Sequence, residues 1–296
     1  MSKLAGLKNS WKFVVAGLIL FYLVRFIYTN WSAVRQYEWQ FNYGLLFVSL
    51  SLVMLNLIFL IQIWRRILLK LGYSLRFTKA FKILFYSNTG RYLPGKIWSI
   101  LGMIYMCEKE GIPHAASFTS AILYQALNII AGMILVVVIS GTGLIKDLSK
   151  FIYLPLALIL IAFVYPPIME KSVNILLKLM KRKPIKISLS FGHNIVLVLL
   201  LMLSWCVYGA GFNILISSFT GHSLSSWPYM ISTFTFSYII GLLSVFVPGG
   251  LGVREGILIS YLLIYFPLPI ATVIALFSRL WMMAVEIVGL LVSTRL

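Results

Sequence analysis

Long apolar runs separated by short basic stretches set the rhythm of this chain. Six of them cover residues 12–30, 42–64, 114–140, 151–169, 193–218 and 270–292. Each is near or above the roughly 20 helical residues needed to cross about 30 Å of hydrocarbon. None shows the strict apolar–polar alternation of a half-buried strand, so each predicts a spanning helix. Two further apolar regions, 77–106 and 227–266, are interrupted, the first by "RYLPGK" at 91–96 and the second by "VPGGLGVRE" at 247–255. The pieces flanking the first interruption are too short to span. They predict a broken helical hairpin that enters and leaves by one face. Region 227–266 is compatible with the same arrangement or with two crossings.

The order of elements occurs twice. "LGYSL" at 71–75 leads into the first break and "TGHSL" at 220–224 into the second. A short helix and another proline follow each break, in "GIPHAASFTSA" at 111–121 and "PLPIATVIALF" at 267–277. Three crossings separate equivalent points, so the copies run in opposite senses. Broken helices in inverted repeats are a transporter architecture. The expected fold is an all-α, polytopic integral membrane protein. It has about six spanning helices plus two broken re-entrant hairpins, in one domain, 1–296, with inverted repeats over approximately 42–140 and 193–292.

Composition agrees with the pattern. Of 296 residues, 61% are hydrophobic and only 11% charged, and the mean hydropathy is +0.98, which places the chain outside the soluble range. The net charge of +18 does not point to nucleic acid, because the basic residues lie between apolar runs. If neither broken region adds a net crossing, Lys3, Lys8 and Lys12 share a side with three later groups. These are Arg65, Arg66, Lys70, Arg76, Lys79 and Lys82; then Lys109; then Lys171, Lys178, Lys181, Arg182, Lys183 and Lys186, with Arg295 at the end. Arg35, Lys146 and Lys150 fall on the other side. By the positive-inside rule the first side is cytoplasmic, together with both termini, in a cell (inner or plasma) membrane. The first apolar run, Phe13 to Tyr28, is longer than a signal-peptide core and no small-residue cleavage pattern follows it, so it reads as a retained helix.

The remaining chemistry narrows quickly. Cys107 and Cys206 form no CxxC pair, and His114, His193 and His222 show no ligand spacing. No metal, cofactor or catalytic group is expected. The charged residues near the breaks are the candidates instead: Arg91, Lys96, Arg254 and Arg279 against Glu255 and Glu286. Each costs about 2.5–3.5 kcal/mol at a helix centre on insertion scales, so partners or a solvated cavity are expected. Arg279 and Glu286 lie seven apart on one helix face, too far along the axis to pair as neighbours. A restarted helix presents free N–H groups and a positive dipole end. Together with a surplus of two positive charges this predicts a phosphate site, for whose walls Ser87, Asn88, Gln125 and Asn128 are candidates, helix–helix hydrogen bonds being the alternative role of each.

"GRYLPGKIWSILGM" at 90–103 and "PGGLGVREGIL" at 248–258 resemble motifs of the lysylphosphatidylglycerol synthase transmembrane (flippase-like) family. The resemblance extends to Arg279 and the "VEIVGLL" ending. It implies that Arg91, Pro94, Gly95, Lys96, Pro248, Gly249, Gly250, Gly252, Arg254 and Glu255 belong to the functional centre. Family members often carry a Glu-Arg pair where this chain has Tyr124 and Gln125. The aminoacyl-transfer domain of bifunctional members is not in this sequence, so lysyl transfer is not expected.

The expected function is therefore a lipid flippase, not an enzyme. It would move an anionic or phosphate-bearing lipid, a phospholipid or a polyprenyl-phosphate sugar, through a basic cavity between the breaks. Arg279 and Glu286 complete the substrate-binding set. The alternatives are a membrane-embedded glycosyltransferase, for which Glu38 and Asp147 are the outer-loop carboxylates, and a lipid-presenting partner acting on polyprenyl-phosphate-linked sugars. Expected partners are membrane lipids with phosphate headgroups, with a second copy or a lipid-modifying enzyme compatible and nucleic acid excluded.

Overall fold

Each long helix is opened and closed by local rules. The computed structural model describes residues 17, 21–92, 98–140, 158–179, 184, 190–244 and 247–295. After helical residues 21–29, the chain forms α1 (Trp31–Gln36), α2 (Tyr43–Lys70), α3 (Phe77–Thr89), α4 (Trp98–Glu108) and α5 (His114–Ile139). Then follow α6 (Pro166–Leu179), α7 (Phe191–Thr220), α8 (Trp227–Leu243), α9 (Val253–Leu262) and α10 (Leu268–Thr294). The Asn42 side chain accepts from the Leu45 N–H at 3.0 Å and caps α2. Gly221, at φ 66, ends α7 in the left-handed conformation that stops a helix. Pro113 and Pro267 take nearly the same extended conformation (φ −58, ψ 147 and φ −57, ψ 151) and start α5 and α10.

The described residues form no strand; the one β contact is an isolated bridge between Gln40 and Thr220. Four helices, α2, α5, α7 and α10, are long and apolar enough to cross a membrane. These coincide with four of the six expected spans. Of the run 12–30 only residue 17 and residues 21–30 are described. The run 151–169 differs from expectation within its described part. It is helical at 158–162, turns at 163–165 and restarts at Pro166. Pro166 and Pro167 lack N–H groups and are tolerated only in a first helical turn, so the apolar count concealed a helix start.

Both interrupted regions are broken where expected. Region 77–106 becomes α3 and α4, of 13 and 11 residues, packed against each other. Region 227–266 becomes α8 and α9, of 17 and 10 residues, also packed together. The breaks carry short 3-10 turns, Gly90–Tyr92 and Pro248–Gly250, and these two turns touch.

α7 is the central element, packed on α2, α5 and α8. Apolar burial gives little drive between helices in lipid, so close backbone approach and polar contacts must carry the association. Both are present. Gly209 of α7 lies against the Ile231 backbone of α8, where a Cβ has no room. Ser49 of α2 donates to the Gly211 carbonyl at 2.7 Å, and Trp205 of α7 donates to the Asn128 carbonyl of α5 at 3.0 Å. A second apolar cluster joins Trp64 of α2, Phe81 and Phe85 of α3, and Cys107 of α4.

Candidate functional site

The second break is built from glycine. Gly249, Gly250 and Gly252 have φ of 58, 66 and 80. Gly250 also sits so close to α8 that a Cβ would lie 2.5 Å from the Gly241 carbonyl oxygen, so both its backbone angle and its contact exclude a side chain. α9 then begins with Glu255 on its first turn. The Gly252 N–H donates to Glu255 Oε2 at 2.6 Å, which is one half of a capping box. The start of α9 was expected to offer open amide donors to an anion; at Gly252 that position is taken by the chain's own carboxylate.

The described charges around the breaks sort into two pairs and one remainder. Arg279 of α10 pairs with Glu255, Nη1 to Oε1 at 2.7 Å, and its Nη2 donates to the Gly249 carbonyl at 2.8 Å. Arg91, in the first break, pairs with Glu286 of α10 at 2.7 Å and lies 3.4 Å from the Tyr238 hydroxyl. Arg279 and Glu286 thus meet other elements and not each other, as their seven-residue spacing predicts. The third guanidinium is different. Arg254 is 6% exposed, and among the described residues no carboxylate lies within ion-pair distance of it. Its Nη2 donates to Ser278 Oγ at 3.3 Å, its face lies 5.3 Å from the Phe234 ring and 5.4 Å from the Tyr238 ring, and its Nε has no hydrogen-bond partner among the described residues. Gly241 makes the space for it, since a Cβ there would lie 2.8 Å from Arg254 Cβ. The expected surplus of two positive charges is therefore one among the described residues.

Beside these groups lies a cavity of about 450 Å³. Of the expected site residues, Arg91, Gly249, Arg254, Arg279 and Glu286 line it. Gly250, Gly252 and Glu255 are not among its lining residues and hold the break and Arg279 in place. Pro248 opens the second 3-10 turn. Pro94, Gly95 and Lys96 lie outside the described residues. Ser87, Asn88, Gln125 and Asn128 all reach the cavity, as expected.

Sequence reasoning missed the aromatic wall. Tyr124 of α5, Trp205 and Tyr208 of α7, and Tyr238 of α8 face the same space, and the rings of Trp205, Tyr208 and Tyr238 contact one another at 5.4–6.4 Å. The available signal was tyrosine in mid-run, at 124, 208 and 238, away from the interface positions where its polar end usually sits.

No curated protein and no solved structure matches the chain. A family model described as "Lysylphosphatidylglycerol synthase TM region" matches residues 9–289. Coverage of nearly the whole sequence, including both breaks and every charged group of the cavity, means that the chain belongs to this family.

Proposed function

We propose that the protein is a translocase for a phosphate-bearing lipid, with the cavity between the breaks as headgroup site and no covalent chemistry of its own. Membership of the family suggests a membrane-lipid function. The flippase reading goes further and is carried by one observation, the buried Arg254 guanidinium without a carboxylate among the described residues, beside a cavity of about 450 Å³. A cation removed from water costs several kcal/mol unless paired, and two ring faces with one weak hydroxyl bond offset only part of that. An incoming phosphate supplies the missing countercharge with a guanidinium–oxygen geometry suited to it.

Two contact patterns support an arrangement in inverted repeats over residues 42–140 and 193–292. α3 of the first half packs on α10 of the second, and α8 of the second on α5 of the first. The matched prolines that open α5 and α10 fit the same scheme. In this reading α3–α4 and α8–α9 are re-entrant hairpins whose tips meet at the cavity, and both termini face the cytoplasm. The headgroup enters the cavity while its tails stay in the bilayer, and movement of one half against the other exposes it to alternate leaflets.

Reconstitution of the full chain in liposomes with a labelled phospholipid or polyprenyl-phosphate lipid, read by a leaflet-resolved assay, tests this. Accelerated exchange is expected with the native chain and loss of it with Arg254→Gln. Movement no faster than in protein-free liposomes for every phosphate-bearing lipid overturns the proposal.

A further inference from the structure

The cavity presents two buried donors without an acceptor among the described residues, and they come from different halves of the chain. One is Arg254 Nε on α9. The other is the side-chain amide Nε2 of Gln125 on α5. Both residues line the cavity. A buried donor without an acceptor is costly, so a ligand that brings an acceptor to each gains at both points.

The charge balance limits what that ligand carries. Arg91 and Arg279 are held by Glu286 and Glu255 at 2.7 Å. Among the described residues a second negative charge on the ligand finds no further cation without a carboxylate and would have to displace one of these two, and Glu255 is 1% exposed. One negative charge satisfies Arg254 and leaves both pairs intact. The other polar groups of the wall, including Ser87, Asn88, Asn128 and the Tyr238 hydroxyl, are uncharged. They suit hydroxyl groups, which both donate and accept. An ammonium headgroup would point donors at the Gln125 donor.

We propose that Arg254 and Gln125 form a two-point site for a lipid with a singly charged phosphodiester and an uncharged, hydroxyl-bearing headgroup, and that Gln125 selects that headgroup. Arg254 holds the phosphodiester, and the Gln125 amide donates to a headgroup oxygen. The inference rests on the cavity being the lipid site proposed above, but its test is equilibrium binding, with no transbilayer movement involved.

The full chain in phosphatidylcholine nanodiscs, each doped with one probe lipid, is read by native mass spectrometry. Phosphatidylglycerol carries the proposed headgroup, phosphatidic acid lacks it and bears a phosphomonoester, and phosphatidylethanolamine replaces the hydroxyls with an amine. An unsatisfied buried donor corresponds to roughly tenfold in occupancy, so phosphatidylglycerol is expected to bind about tenfold better than either of the others. Gln125→Leu is expected to erase its advantage over phosphatidic acid. Gln125→Glu, which turns the donor into a charged acceptor, is expected to raise phosphatidylethanolamine about tenfold relative to phosphatidylglycerol. That gain cannot come from misfolding. Equal binding of the three lipids by the native chain, or unchanged preferences in both Gln125 variants, overturns the inference. Deacylated glycerophosphoglycerol bound as tightly as the lipid overturns the lipid assignment in favour of a soluble phosphodiester. Headgroup selectivity without transbilayer movement leaves this inference standing and removes the translocase reading alone.

Discussion

Arg254 and Arg279 are both guanidinium groups at the same break, yet replacing them with methionine should change stability in opposite directions. At position 279 the substitution leaves Glu255, 1% exposed, without its cation, and it also removes the 2.8 Å bond to the Gly249 carbonyl. Orphaning a buried carboxylate costs about 3–5 kcal/mol. At position 254 no carboxylate is orphaned. What is lost is a 3.3 Å bond to Ser278 and two ring contacts near 5.3 Å and 5.4 Å, which together are worth about 1–4 kcal/mol. What is relieved is the burial of an uncompensated cation, several kcal/mol. The balance ranges from neutral to stabilising by about 1–2 kcal/mol, and methionine fills a volume similar to the arginine stem. Thermal unfolding in lipid-free detergent micelles measures both. Arg279→Met should melt many degrees lower and Arg254→Met at or above the native temperature, while the same Arg254→Met protein in liposomes moves no lipid. If Arg254→Met unfolds as readily as Arg279→Met, Arg254 has a compensating partner within the protein, and its assignment to an incoming phosphate is refuted.

The Arg91–Glu286 pair joins the first break to the last helix. Single Arg91→Glu and Glu286→Arg variants should lose stability, and the double variant should regain on the order of 1 kcal/mol relative to their sum, measured as a double-mutant cycle in detergent. Gly250→Ala should cost about 2–4 kcal/mol, combining a left-handed backbone penalty with contact against an immovable carbonyl. A near-native melting temperature would show that the break relaxes freely. His222 lies between α7 and α8, with Tyr265 and Phe266 at 4.8 and 5.1 Å, and its burial holds the imidazole below its ordinary value of 6.5. The folded state therefore prefers the neutral ring. Its contribution is present above about pH 6.5 and falls away as the pH drops toward the folded value. Melting followed between pH 8 and pH 5 should show that decline, and His222→Gln should flatten it.

What could be read from the sequence was whatever local chemistry decides. Pro and Gly at 94–95 and 248–252 mark the interruptions in the apolar pattern, and Pro113 and Pro267 precede the next helices, so both interruptions and both restarts were legible. Span counting failed at Pro166 for the converse reason, since hydropathy sums over a turn that backbone geometry does not allow to be helical. Partner choice was not legible. Arg91 and Glu286 are 195 residues apart and Arg279 and Glu255 are 24 apart, and only helix packing decides which cation meets which acid. The same holds for Arg254. Its lack of a carboxylate follows from Glu255 turning toward Gly252 and Arg279, although Glu255 is its immediate neighbour in sequence.

Glu255 serves two masters, and this constrains how the chain can drift. One oxygen closes the backbone at Gly252 and the other holds Arg279. Aspartate is a methylene too short to keep both contacts, and glutamine would offer the arginine an amide in place of a charge. Positions 252, 255 and 279 are therefore expected to be inherited as a block, since position 252 needs a left-handed backbone at φ 80 and replacing Glu255 or Arg279 breaks two connections at once. Lineages of this protein that keep the second break should vary freely around this trio and hardly at all within it.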